Sequence, residues 1–589
     1  MVPSPLVSRL AELADSPRPA IEDEGGTSTF EELIRRARSL VLAIDDLLGG
    51  VEPRPELVSR PELGSRPDFG SRPDFSSRPE ILTGPDRGSQ PRLSPRPQLG
   101  SRPDFGSRPE LRSRPELGSS PDSSKPVSQR PPALSRVGAR VALLASPGRA
   151  WVEAFFAIAL GRRVAVPLSP LHPEPEQRFF VEDAEAELVL ATRDQIGRAK
   201  SLGVRAAVIE DLSGVTPAEA LDPASCRAAD VALLLYTSGT TGKPKGAMIT
   251  HANLSVQARL LAEAWGFDQS DSLLHALPLH HLHGLGISML TALLAGARVR
   301  MLPRFDAGRV WEELRSVTTW MAVPTMYQKL LEAWDAADEV TRARWGQAAA
   351  ALRLATSGSA ALPITVAERW REISGAPPLE RFGMTEIGVG MTNPLEPTER
   401  RAGYVGRPLP TVGVRIVDDA GNDVAEGSSG ELWVRGPSVF DGYWRRDDAT
   451  EAAFTEGWFR TGDVVERDDN GYLRVLGRTS VDILKSGGYK LSALEIEEVL
   501  RQHPAVAEVA VVGVPDATWG DRVVAVIVAA AGRAAEVETE ALRAWAKERL
   551  APYKVPREVV LRDSLPRNAV GKVIKPDLVK TLTQTVADS

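Results

Sequence analysis

Short apolar runs alternate with amphipathic stretches along most of this chain. Four runs, Val137–Leu144, Ala186–Leu190, Ala206–Ile209 and Val231–Tyr236, have the length and composition of buried strands. Between them, Trp151–Leu160 is long and apolar enough for a buried helix. Strands that alternate with helices in this way predict parallel sheets covered by helices, which is an α/β fold.

An amphipathic helix is predicted close to the start of the chain. Either Ser28 or Thr29 can cap it, because a hydroxyl at that position accepts from a free backbone N–H of the first turn. The apolar positions that follow at helical spacing are Leu33, Ala37, Leu40, Val41 and Ile44. They predict one buried face.

From Gly477 onward, the pattern changes to that of a smaller mixed unit. The predicted elements are helix Lys490–His503, strands Val506–Val514 and Arg522–Ala530, and helix Glu540–Leu550. The buried face of the first helix is predicted from Leu491, Leu494, Ile496, Val499 and Leu500. We therefore predict a large domain over 1–476 and a small α+β lid domain over 477–589.

One region, 51–136, matches no compact fold. It cycles through R-P-[ED]-[LF]-x-S with a period of six residues. Proline at every repeat interrupts helices and removes donors from strands. A single apolar residue per repeat buries too little surface to offset the cost of ordering the chain. We expect a disordered or polyproline-like insertion, and a β-solenoid or a protein-docking arm are the alternatives.

Composition narrows the class of protein further. The chain has 589 residues, a formal net charge of −7 and one cysteine, Cys226. The acidic balance argues against a nucleic-acid partner, and a single cysteine excludes an internal disulfide. We find no apolar run of about 18 residues, the length that a membrane span needs. Because the first residues lack the pattern of a secretory signal, we expect a cytoplasmic enzyme.

The segment Tyr236–Gly246 carries the strongest chemical pattern. It combines hydroxyls, three glycines and two lysines directly after a predicted strand. Glycines let backbone N–H groups approach an anion, and lysines supply charge for phosphate oxygens. A Walker-type loop requires Ser or Thr after its lysine, but Pro244 follows Lys243. The segment therefore predicts a nucleotide phosphate loop of another kind.

This segment resembles the phosphate loop of the adenylate-forming superfamily, which includes acyl-CoA synthetases, luciferases and adenylation domains. The resemblance implies a large domain with a mobile lid, and ATP, Mg²⁺ and coenzyme A as the cofactor and co-substrates. It assigns the triphosphate to Thr237, Ser238, Gly239, Thr240, Thr241, Gly242, Lys243 and Lys245.

A second segment, Glu380–Gly388, resembles the nucleotide segment of the same superfamily. By this resemblance Phe382 stacks on adenine, Thr385 binds a phosphate oxygen, and Glu386 holds Mg²⁺ together with Thr240. The family usually has Tyr where this chain has Phe382. Gly383, Ser359 and Ala360 are assigned to the nucleotide by the same resemblance.

The remaining matching segments come from the end of the large domain and from the lid. The resemblance implies that Asp463 and Arg478 hold the ribose and that Lys572 bridges the acid and the α-phosphate. The turn Gly487–Gly488 lines the pantetheine tunnel, and Thr479–Asp482 is the hinge. Where the family carries an Asp pair at that hinge, this chain has Val481–Asp482.

Three histidines fall in four positions at His280, His281 and His283. The resemblance assigns His281 to the gate beside the acyl pocket and leaves the other two structural roles. A zinc site is the alternative, and no Cys, Asp or Glu within the segment supports it.

Within the superfamily, the segments Ala322–Tyr327, Ser357–Pro363, Gly383–Gly388 and Gly477–Asp482 resemble those of malonyl-CoA synthetases. Malonate keeps a second ionised carboxylate, which is costly to bury without a cation. Arginine can pair with it through two hydrogen bonds. The candidates are Arg304, Arg353 and Arg401, and the polar Ser357 and Ser359 suit a diacid.

We therefore expect an ATP-dependent acid–CoA ligase that forms malonyl-CoA through an acyl-adenylate and serves fatty acid metabolism. Methylmalonate or another short or medium acid is the alternative substrate. Loading of a carrier protein is the alternative reaction. A noncatalytic scaffold is a further alternative, although it would not need Glu386, Asp463 and Lys572 together.

Overall fold

The computed structural model describes residues 3–48, 138–212, 226–237, 244–516, 518–567 and 573–587. The predicted insertion at 51–136 lies outside the described residues. Most of the predicted phosphate loop (238–243) and the predicted lysine loop with Lys572 (568–572) also lie outside them. Within the described ranges, none of the helices has the length and apolar composition that crossing a membrane requires.

The strands begin and end as follows: β1 Pro19–Asp23, β2 Gly26–Thr29, β3 Arg140–Leu144, β4 Val164–Pro167, β5 Leu188–Ala191, β6 Ala206–Val208, β7 Val231–Thr237, β8 Lys245–Thr250, β9 Ser272–His275, β10 Arg298–Met301, β11 Thr319–Ala322, β12 Leu354–Ser357, β13 Leu379–Met384, β14 Gly388–Thr392 and β15 Arg407–Pro408. The later strands are β16 Gly413–Val417, β17 Gly430–Arg435, β18 Phe454–Thr455, β19 Trp458–Arg467, β20 Leu473–Arg478, β21 Ile483–Ser486, β22 Tyr489–Ser492, β23 Val506–Asp516, β24 Gly520–Ala529 and β25 Glu558–Leu561.

The helices are α1 Pro5–Leu13, α2 Phe30–Leu47, α3 Arg149–Leu160, α4 Glu174–Asp183, α5 Ile196–Ser201, α6 His251–Trp265, α7 Thr291–Ala295, α8 Ala307–Glu313, α9 Pro324–Ala336, α10 Glu339–Ala350, α11 Ile364–Ser374, α12 Asp447–Ala453, α13 Ala493–Arg501, α14 Thr539–Lys547 and α15 Lys575–Ala587. A π-helical segment, His283–Leu290, precedes α7. Of the two predicted caps of α2, Ser28 and Thr29, the structure shows Thr29. Its hydroxyl accepts a hydrogen bond from Glu32 N at 3.1 Å. All five predicted core positions of α2 are buried.

Two large sheets form the first part of the fold, and both are mainly parallel, as predicted. Among the described residues one sheet has the order β15-β14-β13-β12-β11-β9-β10-β1-β2, and the other has β6-β5-β3-β4-β7-β8. Strands β13, β12, β11, β9 and β10 run parallel. Their carboxyl ends meet at one edge, which is where ligands bind in open α/β sheets.

The rest of the described chain forms two smaller sheets. Strands β16 to β20 make an antiparallel sheet in which β19 pairs with both β17 and β20. The C-terminal sheet has the order β22-β21-β24-β23, with β25 on β24. Each face of this last sheet packs its own apolar cluster, one around Ile496 and one around Leu578. The fold is therefore α/β with a small α+β C-terminal part. The boundary at 476/477 stays a prediction.

The predicted helix Lys490–His503 is wrong at its beginning. Residues Tyr489–Ser492 form strand β22 instead, because the chain turns back after β21 and pairs with it. The helix begins at Ala493, where Ser492 Oγ accepts from Glu495 N at 3.1 Å. Leu491 therefore contributes to the same core from a strand, not from a helix.

Candidate active site

The nucleotide segment lies at the carboxyl end of the large sheet. Ser357, the last residue of β12, pairs in parallel with Glu380 of β13. Strand β13 then carries Phe382 and Gly383, both half-buried, and Thr385 follows it. Gly383 has no room for a side chain, because a methyl carbon there would lie 2.1 Å from the carbonyl oxygen of Gly388. The close approach explains this glycine without a ligand.

Glu386, the predicted metal ligand, is buried and bonded to a tyrosine. The Tyr443 hydroxyl donates to Glu386 Oε1 at 2.9 Å, and the ammonium group of Lys245 lies 4.3 Å from the centre of the Tyr443 ring. Burial raises the pKa of Glu386, and the hydrogen bond from Tyr443 offsets this only in part. A buried carboxylate beside a lysine suits a cation and phosphate oxygens.

Strands β7 and β8 form an antiparallel pair, and the predicted phosphate loop follows β7 in the sequence. Thr237 pairs with Lys245 at the base of the loop. Lys245 therefore projects from a strand end toward Tyr443 and Glu386. The predicted phosphate-binding residues Ser238, Gly239, Thr240, Thr241, Gly242 and Lys243 lie outside the described residues.

The two predicted ribose residues are cross-strand neighbours on β19 and β20. Arg478 Nε donates to Asp463 Oδ1 at 3.2 Å, and Nη2 donates to Oδ2 at 3.0 Å. Burial acts to lower the pKa of Arg478, but Asp463 and Glu386 outweigh it and raise that pKa. Asp482 also accepts from Arg478 N at 3.2 Å, so the predicted hinge begins in contact with this pair.

Several histidines lie close together at one side of the site. The ring of His281 lies 4.3 Å from that of His280, and burial, followed by neighbouring His172, lowers the pKa of His281 to about 4. His283 Nδ1 is 2.9 Å from Ser359 Oγ. Ser359 has a φ of 70°, a left-handed conformation that a serine rarely adopts. The next residue, the predicted nucleotide contact Ala360, is exposed.

Arg381 is the functional candidate that the sequence analysis missed. Its side chain is 3% exposed, yet within the described chain neither Nε nor Nη2 has a hydrogen-bond partner. Burial alone lowers its pKa to about 9. Burial and then the Arg381 charge hold the pKa of His283 well below its ordinary value. The guanidinium of Arg381 lies against Gly358, which is next to the Ser359 that contacts His283. Arg381 stands inside a segment we had singled out, between Glu380 and Phe382.

Of the three arginines proposed from the sequence, two form ion pairs with aspartates and one is exposed. Arg353 donates to both carboxylate oxygens of Asp271, at 3.0 and 2.7 Å. Arg401 pairs with Asp468, and its guanidinium lies 4.1 Å from the centre of the Tyr472 ring. Arg304 is exposed. None of the three offers the buried, unpartnered guanidinium that Arg381 does.

The predicted tunnel turn Gly487–Gly488 joins β21 to β22. Both residues have positive φ, 58° and 84°, as a two-residue type I′ hairpin turn requires. Gly487 N donates to the carbonyl oxygen of Trp519 at 2.9 Å. The turn geometry accounts for both glycines, and their contact with coenzyme A stays a prediction. The predicted catalytic residue Lys572 lies outside the described residues.

Comparison with known proteins identifies the family. Residues 135–444 match the family described as AMP-binding enzyme, and residues 495–572 match the AMP-binding enzyme C-terminal domain. The mitochondrial malonate–CoA ligase ACSF3 of Mus musculus is 42% identical over 75% of this chain and 82% of its own length.

Two solved structures are similar over nearly the whole chain. ATP-bound MatB from Rhodopseudomonas palustris is 29% identical, with a TM-score of 0.78 over 99% of this chain and 100% of its own. A malonyl-CoA ligase in a ternary product complex with methylmalonyl-CoA and AMP is 33% identical, with a TM-score of 0.59 over 96% of this chain and 100% of its own. On these matches and on the arrangement of its site, this chain belongs to the AMP-binding enzyme family.

Proposed function

We propose that this chain is an ATP-dependent malonate–CoA ligase, which converts malonate, ATP and coenzyme A into malonyl-CoA, AMP and pyrophosphate. The observation that carries the proposal is the buried guanidinium of Arg381. A buried charge without a partner is costly, and a bound carboxylate would satisfy Nε and Nη2 together.

The surroundings of Arg381 favour a polar acid over an aliphatic one. Ser357 Oγ and His283 Nε2 are buried, and neither has a partner among the described residues. A fatty acyl chain would leave all these groups unsatisfied. The names of the mouse relative and of the ternary product complex support a small diacid.

In the first half-reaction, the reacting carboxylate of malonate attacks the α-phosphate and pyrophosphate leaves. We assign charge neutralisation on the phosphates to Lys245 and Lys572, and the ribose to Asp463, whose carboxylate Arg478 orients. Phe382 stacks on adenine. Arg381 holds the distal carboxylate, so that only the other one reaches phosphorus.

Magnesium fits the residues around Glu386. One carboxylate oxygen accepts from Tyr443, and a carboxylate is a ligand type that Mg²⁺ prefers. Glu386 and Thr385 would hold the ion and the phosphate oxygen. The bound ion would supply positive charge to the phosphates, and Glu386 must be ionised to hold it. The cytoplasmic location and the role in fatty acid metabolism remain predictions.

In the second half-reaction, the thiol of coenzyme A attacks the acyl carbonyl and AMP leaves. We assign the lid rotation to Thr479–Asp482 and the passage of the pantetheine arm to Gly487–Gly488. Because Asp482 of the proposed hinge accepts a hydrogen bond from Arg478 of the ribose pair, rotation of the lid would change the contacts of the nucleotide site directly.

The test measures pyrophosphate release and thioester formation with malonate, methylmalonate, acetate and octanoate. We expect malonyl-CoA as the main product. Arg381→Met should lower kcat/KM for malonate by about 100-fold and leave the low rate with acetate unchanged. The matched control is Arg304→Met, which removes an exposed arginine and should leave every rate unchanged.

Other outcomes would replace the proposal with an alternative. Preference for octanoate or acetate would reject the diacid. Higher kcat/KM for methylmalonate than for malonate would make the branched diacid the substrate, which is the acyl group of the product in the similar ternary complex. Pyrophosphate release without any thioester would point to loading of a separate carrier protein.

A further inference from the structure

Gly358 follows directly after β12 and lies against the guanidinium of Arg381. A methyl carbon built at Gly358 would lie 2.4 Å from Arg381 Cζ, 2.6 Å from Nε and 2.7 Å from Nη1. Non-bonded heavy atoms pack at about 3.5–4.0 Å, so the methyl group and the guanidinium cannot occupy these positions together. The space above Gly358 is therefore the space that the guanidinium fills.

The backbone does not explain this glycine. Gly358 is not among the residues with positive φ, so an L-residue can adopt its conformation. Other glycines of the site differ: Gly388 has a φ of 69°, and a methyl group at Gly383 would collide with backbone atoms. At Gly358 the three nearest atoms all belong to one flexible side chain.

We propose that Gly358 is a specificity-determining position, which selects diacids by leaving room for the Arg381 guanidinium in the acyl pocket. This inference rests on the proposed function, because Arg381 is there assigned to the distal carboxylate. Gly358 acts through Arg381 and is a positioning residue. Replacing it should alter the choice of acid without altering ATP binding.

An alanine at 358 should displace the arginine and not the strand. Strands β12 and β13 are held by parallel pairing at Thr356 and Ser357, whereas the atoms that the methyl group would meet all belong to the flexible side chain of Arg381. The displaced guanidinium no longer meets the distal carboxylate. We expect Gly358→Ala to lower kcat/KM for malonate by about 100-fold, mainly through KM. Propionate, which lacks the distal carboxylate, should be used at least as well as by the wild type.

The experiment compares Gly358→Ala, Arg381→Ala and the double variant, with Gly197→Ala as the matched control. Gly197 lies on α5, is exposed, has no positive φ, and a methyl group there meets nothing within 4 Å. KM and kcat are measured for malonate, propionate and ATP, with Tm for each variant. In the Arg381→Ala background, Gly358→Ala should have no further effect on malonate or on Tm, because the space is then empty.

Three results would overturn the inference. They are malonate kinetics of Gly358→Ala at wild-type values, a KM for ATP that rises as much as that for malonate, and an effect of Gly358→Ala that persists in the Arg381→Ala background. An effect of Gly358→Ala that persists without the arginine side chain would show that the alanine disturbs the backbone. Failure of the proposed function is a separate result, in which wild-type protein shows no preference for malonate over propionate.

Discussion

The Tyr443 hydroxyl donates a 2.9 Å hydrogen bond to Glu386 Oε1 inside the protein. Tyr443→Phe removes this donor from a buried carboxylate whose pKa burial already raises. The ionised form loses stabilisation, so the pKa rises further. Because activity requires ionised Glu386, the acid limb of the pH profile of kcat/KM should move to higher pH. At neutral pH, kcat/KM for ATP should fall about tenfold.

The measurement is the pH profile of pyrophosphate release at several Mg²⁺ concentrations. Tyr404→Phe is the control, since Tyr404 is half-buried and packs against Tyr472. An unshifted acid limb in Tyr443→Phe would show that Glu386 does not govern the titration.

Lys575, the first residue of the C-terminal helix, pairs with Asp482 of the predicted hinge. Its Nζ lies 2.6 Å from Asp482 Oδ1 and 2.7 Å from Glu497 Oε1, and the residue is 7% exposed. Lys575→Met leaves two carboxylates near each other without their cation. We expect the free energy of unfolding to fall by about 3 kcal/mol at pH 7. The loss should shrink at acidic pH, where the carboxylates protonate.

Chemical denaturation at pH 7 and pH 4 measures this effect. Lys580→Met removes an exposed lysine of the same helix and should change stability little. Equal losses in the two variants would mean that the buried contacts of Lys575 contribute no more than an exposed lysine does.

Glu380 should make the stability of the protein depend on pH. Burial raises its pKa from 4.5 to about 8, so the folded protein keeps this carboxyl protonated where the unfolded chain ionises it. The contribution of protonated Glu380 to the free energy of unfolding is complete below pH 4.5. It is lost as the pH rises toward 8. Each pH unit in that window removes up to about 1.4 kcal/mol. Glu380→Gln should remove this slope.

Tm measured from pH 4.5 to 8 tests the expectation. The glutamine can still accept the hydrogen bond that Gly403 N donates at 2.8 Å. Glu372→Gln, at an exposed position, should leave the wild-type slope in place. If Glu380→Gln follows the wild-type curve, Glu380 is ionised in the folded protein.

A substitution in the Gly487–Gly488 turn can separate its role in folding from its proposed role in binding coenzyme A. Asparagine tolerates the left-handed conformation, and a Cβ atom at Gly488 would meet no atom within 4 Å. Gly488→Asn should therefore fold with a loss of about 1 kcal/mol. Adenylate formation should persist, whereas thioester formation should fall at least tenfold because the new side chain narrows the path of the pantetheine arm.

Pyrophosphate exchange and thioester formation, measured on the same variant, show which half-reaction the substitution affects. Gly471→Asn is the matched control, because Gly471 also has positive φ, 79°, and open space around it. A parallel decrease of both half-reactions in Gly488→Asn would assign the glycine to folding of the lid alone.

The sequence predicted the helices and strands that depend on residues close together in the chain. Helix α2 and its five core positions follow from helical spacing, and β7 follows from one apolar run. Contacts between distant segments could not be predicted in this way. Tyr443 meets Glu386 across 57 residues, and Lys575 meets Asp482 across 93. Arg381 stood inside a predicted segment, but its proposed role depends on Gly358, which follows the neighbouring strand β12.

The lone guanidinium of Arg381 has a consequence for the evolution of this fold. Because neither Nε nor Nη2 has a partner among the described residues, its loss should relieve a buried charge and make the protein without substrate more stable. Selection for stability and selection for the diacid therefore oppose each other at a single side chain. A descendant that gave up this arginine would be more stable without substrate and would have an empty space above Gly358 for a new acid.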